Sequence, residues 1–453
     1  MKFLIEVWLC NLTLLILSPI VVSVFGLNFL VRKLISTFVL NPKRHKLIDG
    51  IDAVWAPVYP ATVPNLSSLY VIEGNCDIGK IRKKLDTIAK HPNYARLKYR
   101  IIRKFGYFTW EDVSLSFDIR NHVKILPGCD SETVYSESEV FEKIGAIYDT
   151  FMSDERPQWE VLLVPKYKYN KDNGNDTRSH YAMVFRIHHS ILDGVSAGLW
   201  LQHAMADYPV NLSVDPLKPL KISWFYRTIP YVLMAVIGAR SLIKSLMLKE
   251  TNCFHGKPMT GPKYVGWSRP VNLNTLKQVK TATNTSTTAV LISCFGGALR
   301  SLAQKKNLEV PSSIYAAATV AMLPYPNIKF QNRFTSAHVP IEIGLPTQVQ
   351  RLKSAFKHAN NMARSPDILM NYHMMQLTGA FPAIIVDEIM KNLNSTMLLS
   401  NVPGPAEDVY MFGGDKLVDA VAWGPFKGVT GNNINHLNYL RTDVHCADMA
   451  CFF

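Results

Sequence analysis

Charge is scarce in this 453-residue chain: 19% of its residues are Asp, Glu, Lys or Arg, against 48% hydrophobic. So apolar a chain is not disordered, and its length is enough for two domains with cores of their own. Collagen-like and low-complexity classes are excluded with it. Cysteine is also sparse. The seven residues, at positions 10, 76, 129, 253, 294, 446 and 451, form no CxxC pair. That spacing excludes a small disulfide scaffold and fits a reducing, cytosol-facing environment. Despite a net charge of +14, there is no zinc-finger spacing, RNP-like motif or long Arg tract. The basic residues are scattered, so no nucleic-acid partner is expected, whereas an anionic membrane surface attracts the same charge.

Charge is absent altogether from Val7 to Val31. About 20 apolar residues cross the hydrocarbon core of a bilayer, and a cleavable signal has a shorter apolar region of about 7–15. The run therefore predicts a single-pass anchor. Lys2 and Glu6 precede it, while Arg32, Lys33, Lys43, Arg44 and Lys46 follow it. The positive-inside rule then places the body in the cytosol, on the endoplasmic reticulum or plasma membrane. On that reading the Asn65, Asn175 and Asn394 sequons are chance matches.

Four segments follow from composition and periodicity: an anchor with its basic flank (1–45), a first domain (46–210), a linker (211–265) and a second domain (266–453). The fold class is α/β (α+β), with mixed sheets. Strands are expected at Ser68–Glu73, Trp159–Pro165 and His180–His189, with helices at Asp77–Lys90, Val195–Ala206, Ala289–Gln304 and Val310–Leu323, and a further strand at Thr335–Ile343. The loop 170–176 is polar. Within the linker, Thr228–Ala239 is apolar but too short to span; it reads equally as a helix in the membrane interface or as a buried interdomain helix.

One motif carries chemistry. Tyr181 to His189 reads as a strand running into the turn Ser190-Ile191-Leu192-Asp193-Gly194. His188 and His189 are neighbours on a strand and point to opposite faces, so they do not share one metal ion, and no metal is expected. A single imidazole titrating near neutrality suits proton abstraction from an alcohol that attacks an activated acyl group. Asp193 can lock the turn by capping the following helix or by pairing with an arginine, with Gly194 freeing the backbone. By spacing alone, His-x-x-x-Asp-Gly is also what a satisfied core histidine beside a helix cap looks like.

RIHHSILDGVSAG resembles the HHxxxDG signature of the wax ester synthase/acyl-CoA:diacylglycerol acyltransferase family, within the chloramphenicol-acetyltransferase-like superfamily. PQWEVLLVP, with Pro157, Trp159 and Glu160, resembles the family's PLW-type segment. FTWEDVSLSFDIRNHVKILP, with Trp110, Phe117, His122 and Pro127, resembles the stretch before it. LLSNVPGP, with Asn401, Pro403 and Gly404, resembles a motif of the second domain. The resemblance covers most of residues 46–435. It implies two chloramphenicol-acetyltransferase-like domains with a tunnel between them, and His189 as the base that activates a diacylglycerol or long-chain alcohol hydroxyl. His188, Asp193 and Gly194 would support the motif, while Asn401, Pro403 and Gly404 would shape the tunnel. Acyl-CoA would be a co-substrate, no cofactor is implied, and membrane lipid is the expected surroundings.

Two departures stand out. Thr288-Ala289 occupies the place of the family's Asn-Asp pair, and the closing stretch LNYLRTDVHCADMACFF only partly resembles the family's last strands, so an atypical or truncated end is expected. They motivate an alternative, a catalytically weakened member that binds lipid or acyl-CoA.

Overall fold

All nine residues of His180–His188 are buried, a condition met by a central strand covered on both faces. The computed structural model describes residues 1–58, 63–148, 150–169, 178–212, 214–218, 224–247, 250–254, 265–267, 271–363, 365–391, 396–425, 432–438 and 443–450. With elements numbered in chain order, the first sheet runs β13 (Val409–Met411), β14 (Asp415–Trp423), β2 (Asn65–Glu73), β7 (His180–His188), β6 (Trp159–Val164) and β5 (Val123–Ile125). β7 is antiparallel to both neighbours, with Asn65 opposite His188. Alternate residues of β7 serve two cores. Tyr181, Met183 and Phe185 meet Ile81, Leu85 and Ile88 of α3 (Ile78–Lys90), whose first turn is capped by Asp77 through Lys80 N at 3.0 Å. Ala182 and Val184 meet Val140, Ile144 and Tyr148 of α4 (Glu137–Tyr148).

The second sheet runs β11 (Phe334–Ile341), β10 (Ile314–Ala321), β12 (Met397–Pro403), β15 (Asn432–Asn438), β16 (Asp443–Ala450) and β8 (Gly266–Trp267), with β9 (Val271–Asn272) also on β16. Its core face is covered by α8 (Thr287–Lys305) and α9 (Gln348–Ala363), where Ile292, Phe295 and Ala355 contact Ala316, Val339 and Ile341. The expected helix at Val310–Leu323 is strand β10 instead. Its alanines favour a helix in isolation, but they alternate in burial at Ile314, Ala316 and Ala318 between two hydrogen-bonded partners, and that pairing overrides propensity. Strand pairing elsewhere does join the two halves of the chain. Hairpin β13–β14, from the second half, completes the first sheet. The loop 170–176, parts of 211–265 and parts of the closing segment lie outside the described residues.

The apolar run forms α1 (Lys2–Leu34), long and apolar enough to cross a membrane. The apolar patch of the linker lies within α6 (Trp224–Met247), which packs between α1 and α10 (Asp367–Thr378). A short helix, α2 (Gly50–Val54), follows β1 (His45–Leu47), which extends a small sheet with β4 (Tyr107–Asp112) and β3 (Tyr99–Lys104).

His122 is structural here. It is stacked on Trp159 at 4.4 Å and on Phe117 at 5.1 Å, and its Nδ1 donates to Trp159 O at 2.8 Å. Burial pushes its pKa from 6.5 down to about 4, the hydrogen bond to Trp159 pulling the other way. The unfolded chain takes up this proton near 6.5 and the folded one only near 4, so stability is full above 6.5 and falls as pH drops through that window. The loss amounts to roughly 3 kcal/mol. Denaturant unfolding of wild type and His122→Phe between pH 7 and pH 4 should show that slope in the wild type alone.

Candidate active site

β7 ends where its backbone turns away from the sheet. His189 N donates to Pro64 O at 2.7 Å, and Ile191 N to His188 O at 2.9 Å, closing the turn. α5 (Gly194–Trp200) then starts at once, because Asp193 is its N-cap and accepts from Ser196 N at 2.8 Å. The other Asp193 oxygen accepts from Tyr325 Oη at 2.6 Å and from Arg333 N at 2.7 Å. Both donors lie in the stretch between β10 and β11, so this carboxylate ties the motif to the second half of the chain. The Arg333 guanidinium is not its partner; Nε goes to Met322 O at 2.7 Å. Burial pushes the Asp193 carboxyl up, against hydrogen bonds from Ser196, Tyr325 and Arg333 that pull it down. The Tyr325 phenol is pushed up by burial and by Asp193, so it stays protonated and donates.

His188 and His189 are both buried, with different surroundings. His188 Nδ1 accepts from Ser190 N at 3.3 Å. The His189 ring lies parallel to Trp55 at 4.2 Å and near Phe334 at 5.3 Å. Its Nδ1 is 3.0 Å from Asn332 Oδ1. The orientation of Asn332 is fixed by its amide group, which donates to His189 O at 2.7 Å and to Asp52 Oδ1 at 2.9 Å. Its Oδ1 must then accept, Nδ1 of His189 carries the proton, and the basic lone pair sits on Nε2. Asp52 is paired in turn with Arg96, whose other nitrogen donates to Ile191 O at 2.9 Å inside the motif turn. The guanidinium also lies 5.4 Å from the Trp110 ring centroid.

The second-domain motif reaches the same turn. A Cβ on Gly194 would stand 3.0 Å from Val402 Cγ2, so glycine permits the close approach of α5 to β12. Ser400 Oγ accepts from Thr319 Oγ1 at 3.0 Å. Pro403 closes β12, Gly404 is buried just beyond it, and Asn401 is exposed on the strand. The structure thus gathers His188, His189, Asp193, Gly194 and Val402. Sequence reasoning missed Asp52, Trp55, Arg96, Tyr325 and Asn332. Asn332 lies 143 residues from His189 and no local pattern marks it. Ala289, in the place of the family's polar pair, is fully buried in the α8 core, its N–H capped by Ser286 Oγ at 3.2 Å. A cavity of about 230 Å³ opens at the β5–β6 edge beside Arg156, Glu160 and Arg186; His189 does not line it.

Solved acyl-transferring enzymes share this architecture. The fold is similar to wax ester synthase/diacylglycerol acyltransferase from Marinobacter aquaeolei VT8, with a TM-score of 0.60 and 18% identity over 90% of this chain and 93% of that one. It is similar also to trichothecene 15-O-acetyltransferase from Fusarium sporotrichioides, with a TM-score of 0.59 and 10% identity over 91% and 92%. The fold is thus one found in acyl-transferring enzymes. The wax ester synthase/diacylglycerol acyltransferase catalytic domain matches residues 73–218, and the WS/DGAT C-terminal domain residues 330–442. The chain belongs to the wax ester synthase/diacylglycerol acyltransferase family. Among named relatives, a provisionally named diacylglycerol O-acyltransferase of Mycobacterium tuberculosis is 21% identical over 430 residues, covering 85% of this chain and 82% of that protein. An O-acyltransferase of Acinetobacter baylyi is 21% identical over 306 residues, covering 61% and 65%.

Proposed function

We propose that the protein transfers a fatty acyl group from acyl-CoA to the hydroxyl of diacylglycerol or a long-chain alcohol, with His189 as the general base. The observation that carries this reading is the Asn332–His189 pair, which puts the lone pair on Nε2 of an imidazole packed against two aromatic rings. His189 Nε2 takes the hydroxyl proton as the alcohol oxygen attacks the thioester carbonyl. The tetrahedral intermediate collapses with expulsion of the CoA thiolate, which receives that proton from the imidazolium. The products are an ester and free CoA. A thioester is already activated, so the reaction needs no metal or prosthetic group. Asp193 and Gly194 set the turn, His188 supports it from the sheet, and the β12 end with Asn401, Pro403 and Gly404 forms a wall of the substrate passage. α1 holds the protein at a membrane with its body on the cytosolic side, where both greasy substrates dissolve.

Asn332 acts on the chemistry through His189. Asn332→Leu should lower kcat about a hundredfold through misorientation of the ring, with the KM for acyl-CoA unchanged. Steady-state kinetics of the purified variant checks this, and an equal loss in KM would contradict it. The reading as a whole is tested by CoA release from palmitoyl-CoA with hexadecanol or dioleoylglycerol as acceptor. Acceptor-dependent release supports it. Tight palmitoyl-CoA binding with no release under either acceptor would favour the binding-only alternative, which the buried Ala289 motivates.

A further inference from the structure

α1 is inverted relative to a helix that faces water. Its less exposed positions include Val7, Asn11, Leu14, Ser18, Phe25, Asn28 and Arg32, which recur at steps of three, four or seven residues and so form one stripe. That stripe holds Asn11, Ser18, Asn28 and Arg32; of the hydroxyls outside it, Thr13 bonds back to Leu9 O of the same helix and Ser23 is exposed. Asn11 Nδ2 donates to Val236 O at 2.7 Å, Asn28 Nδ2 to Ala380 O at 2.9 Å, and Tyr107 Oη to Asn28 Oδ1 at 2.8 Å. Glu6 pairs with Arg240 at 2.8 Å, and Arg32 with Asp49. The outward positions Leu4, Trp8, Leu15, Ile20, Leu27 and Phe29 are all more than half exposed. Exposed Val232 and Val236 of the adjacent α6 extend that surface. Polar groups turned to the protein and apolar groups turned out are what a helix shows when its outer solvent is hydrocarbon.

The same contacts fix how the helix lies. They run from Phe3, whose ring is 4.8 Å from the Arg240 guanidinium, to Arg32 at the other end. At about 1.5 Å per residue that is roughly 45 Å of helix laid against the body. α6 runs antiparallel beside it, since Glu6 meets Arg240 while Asn11 meets Val236. The chain just after α6 is itself tied to the second sheet, Glu250 accepting from Tyr315 N at 2.7 Å and from Thr396 N at 3.1 Å. We infer that α1 and α6 form one layer lying in the plane of a single leaflet, with their outer sides among the acyl chains. Lys33, Lys43, Arg44 and Lys46, all exposed at the end of α1, then face anionic headgroups.

A single helix separates this layer from His189. On one side of α10, Met370 packs on Gly238 and His373 stands 6.5 Å from Tyr231, both in α6. On the other side, Tyr372 and Met375 pack against Ile51, Trp55 and Phe334, the cluster that encloses His189. The consequence for catalysis, which rests on the acyltransferase reading, is that the alcohol reaches His189 from the leaflet alongside α10.

The test uses the full chain with an N-terminal epitope tag. In sealed microsomes an in-plane α1 leaves the tag and the body open to the same external protease; a protected tag overturns the proposal. Val232→Glu/Val236→Glu changes two exposed positions and should weaken flotation with phosphatidylcholine vesicles containing phosphatidylserine by about tenfold or more. Unchanged flotation also overturns it. The same variant should esterify hexadecanol in vesicles about tenfold more slowly while handling butan-1-ol in solution at the wild-type rate; an equal loss of both contradicts delivery from the leaflet. If the wild type esterifies neither alcohol, the acyltransferase reading fails, and the tag and flotation results still decide the geometry.

Discussion

His189→Ala is expected to lower ester formation by roughly 10²- to 10⁴-fold, the range lost when a positioned general base is removed. The substitution deletes the Nε2 lone pair and leaves Trp55, Phe334, Asn332 and Asp52 in place, so binding of palmitoyl-CoA should persist. Turnover and palmitoyl-CoA binding measured on the same preparation separate the two effects. A variant that binds as the wild type does and turns over within a few-fold of it would remove His189 from the chemistry. The variant also takes the ring partner from Asn332 Oδ1 and opens space beside Trp55, so a modest fall in thermal midpoint accompanies the loss.

Asp193→Ala should act on stability first. It strands two donors that the carboxylate now satisfies, Ser196 N and Arg333 N, and leaves a third, Tyr325 Oη, with only the longer bond to Arg333 O at 3.1 Å. Each buried donor without a partner costs about 1–3 kcal/mol, and together they amount to roughly 3–5 kcal/mol once the site relaxes. Two of the donors belong to the stretch between β10 and β11, so the loss also loosens the seam between the two sheets at the catalytic turn. Denaturant unfolding of the purified variant reads the effect. A change under about 1 kcal/mol would mean that the carboxylate is not the clamp its geometry describes.

What the sequence made legible was local. β2, β6 and β7 are short apolar runs bounded by turn residues, and each lies within three residues of its expected limits because burial on both faces leaves little choice of register. The motif turn was legible for the same reason, since Asp193 caps a helix that begins one residue later. β10 was misread because alanine carries a helix signal, while the hydrogen bonds to β11 and β12 that make it a strand come from distant sequence. The β13–β14 crossover and the Asn332–Asp52–Arg96 support of His189 depend on contacts across 44 to 356 residues, which no periodicity encodes. The true length of α6 was hidden by Arg227, Arg240 and Lys244, which bound the apolar patch without ending the helix.

The most direct test of the central claim is a single-turnover experiment with labelled palmitoyl-CoA bound to purified protein, first without and then with hexadecanol or diacylglycerol. Direct transfer at His189 predicts that the label stays on CoA until the acceptor is added, then moves to the ester as free CoA appears in equal amount. Label on the protein before the acceptor is added, or no ester after it, would contradict the account.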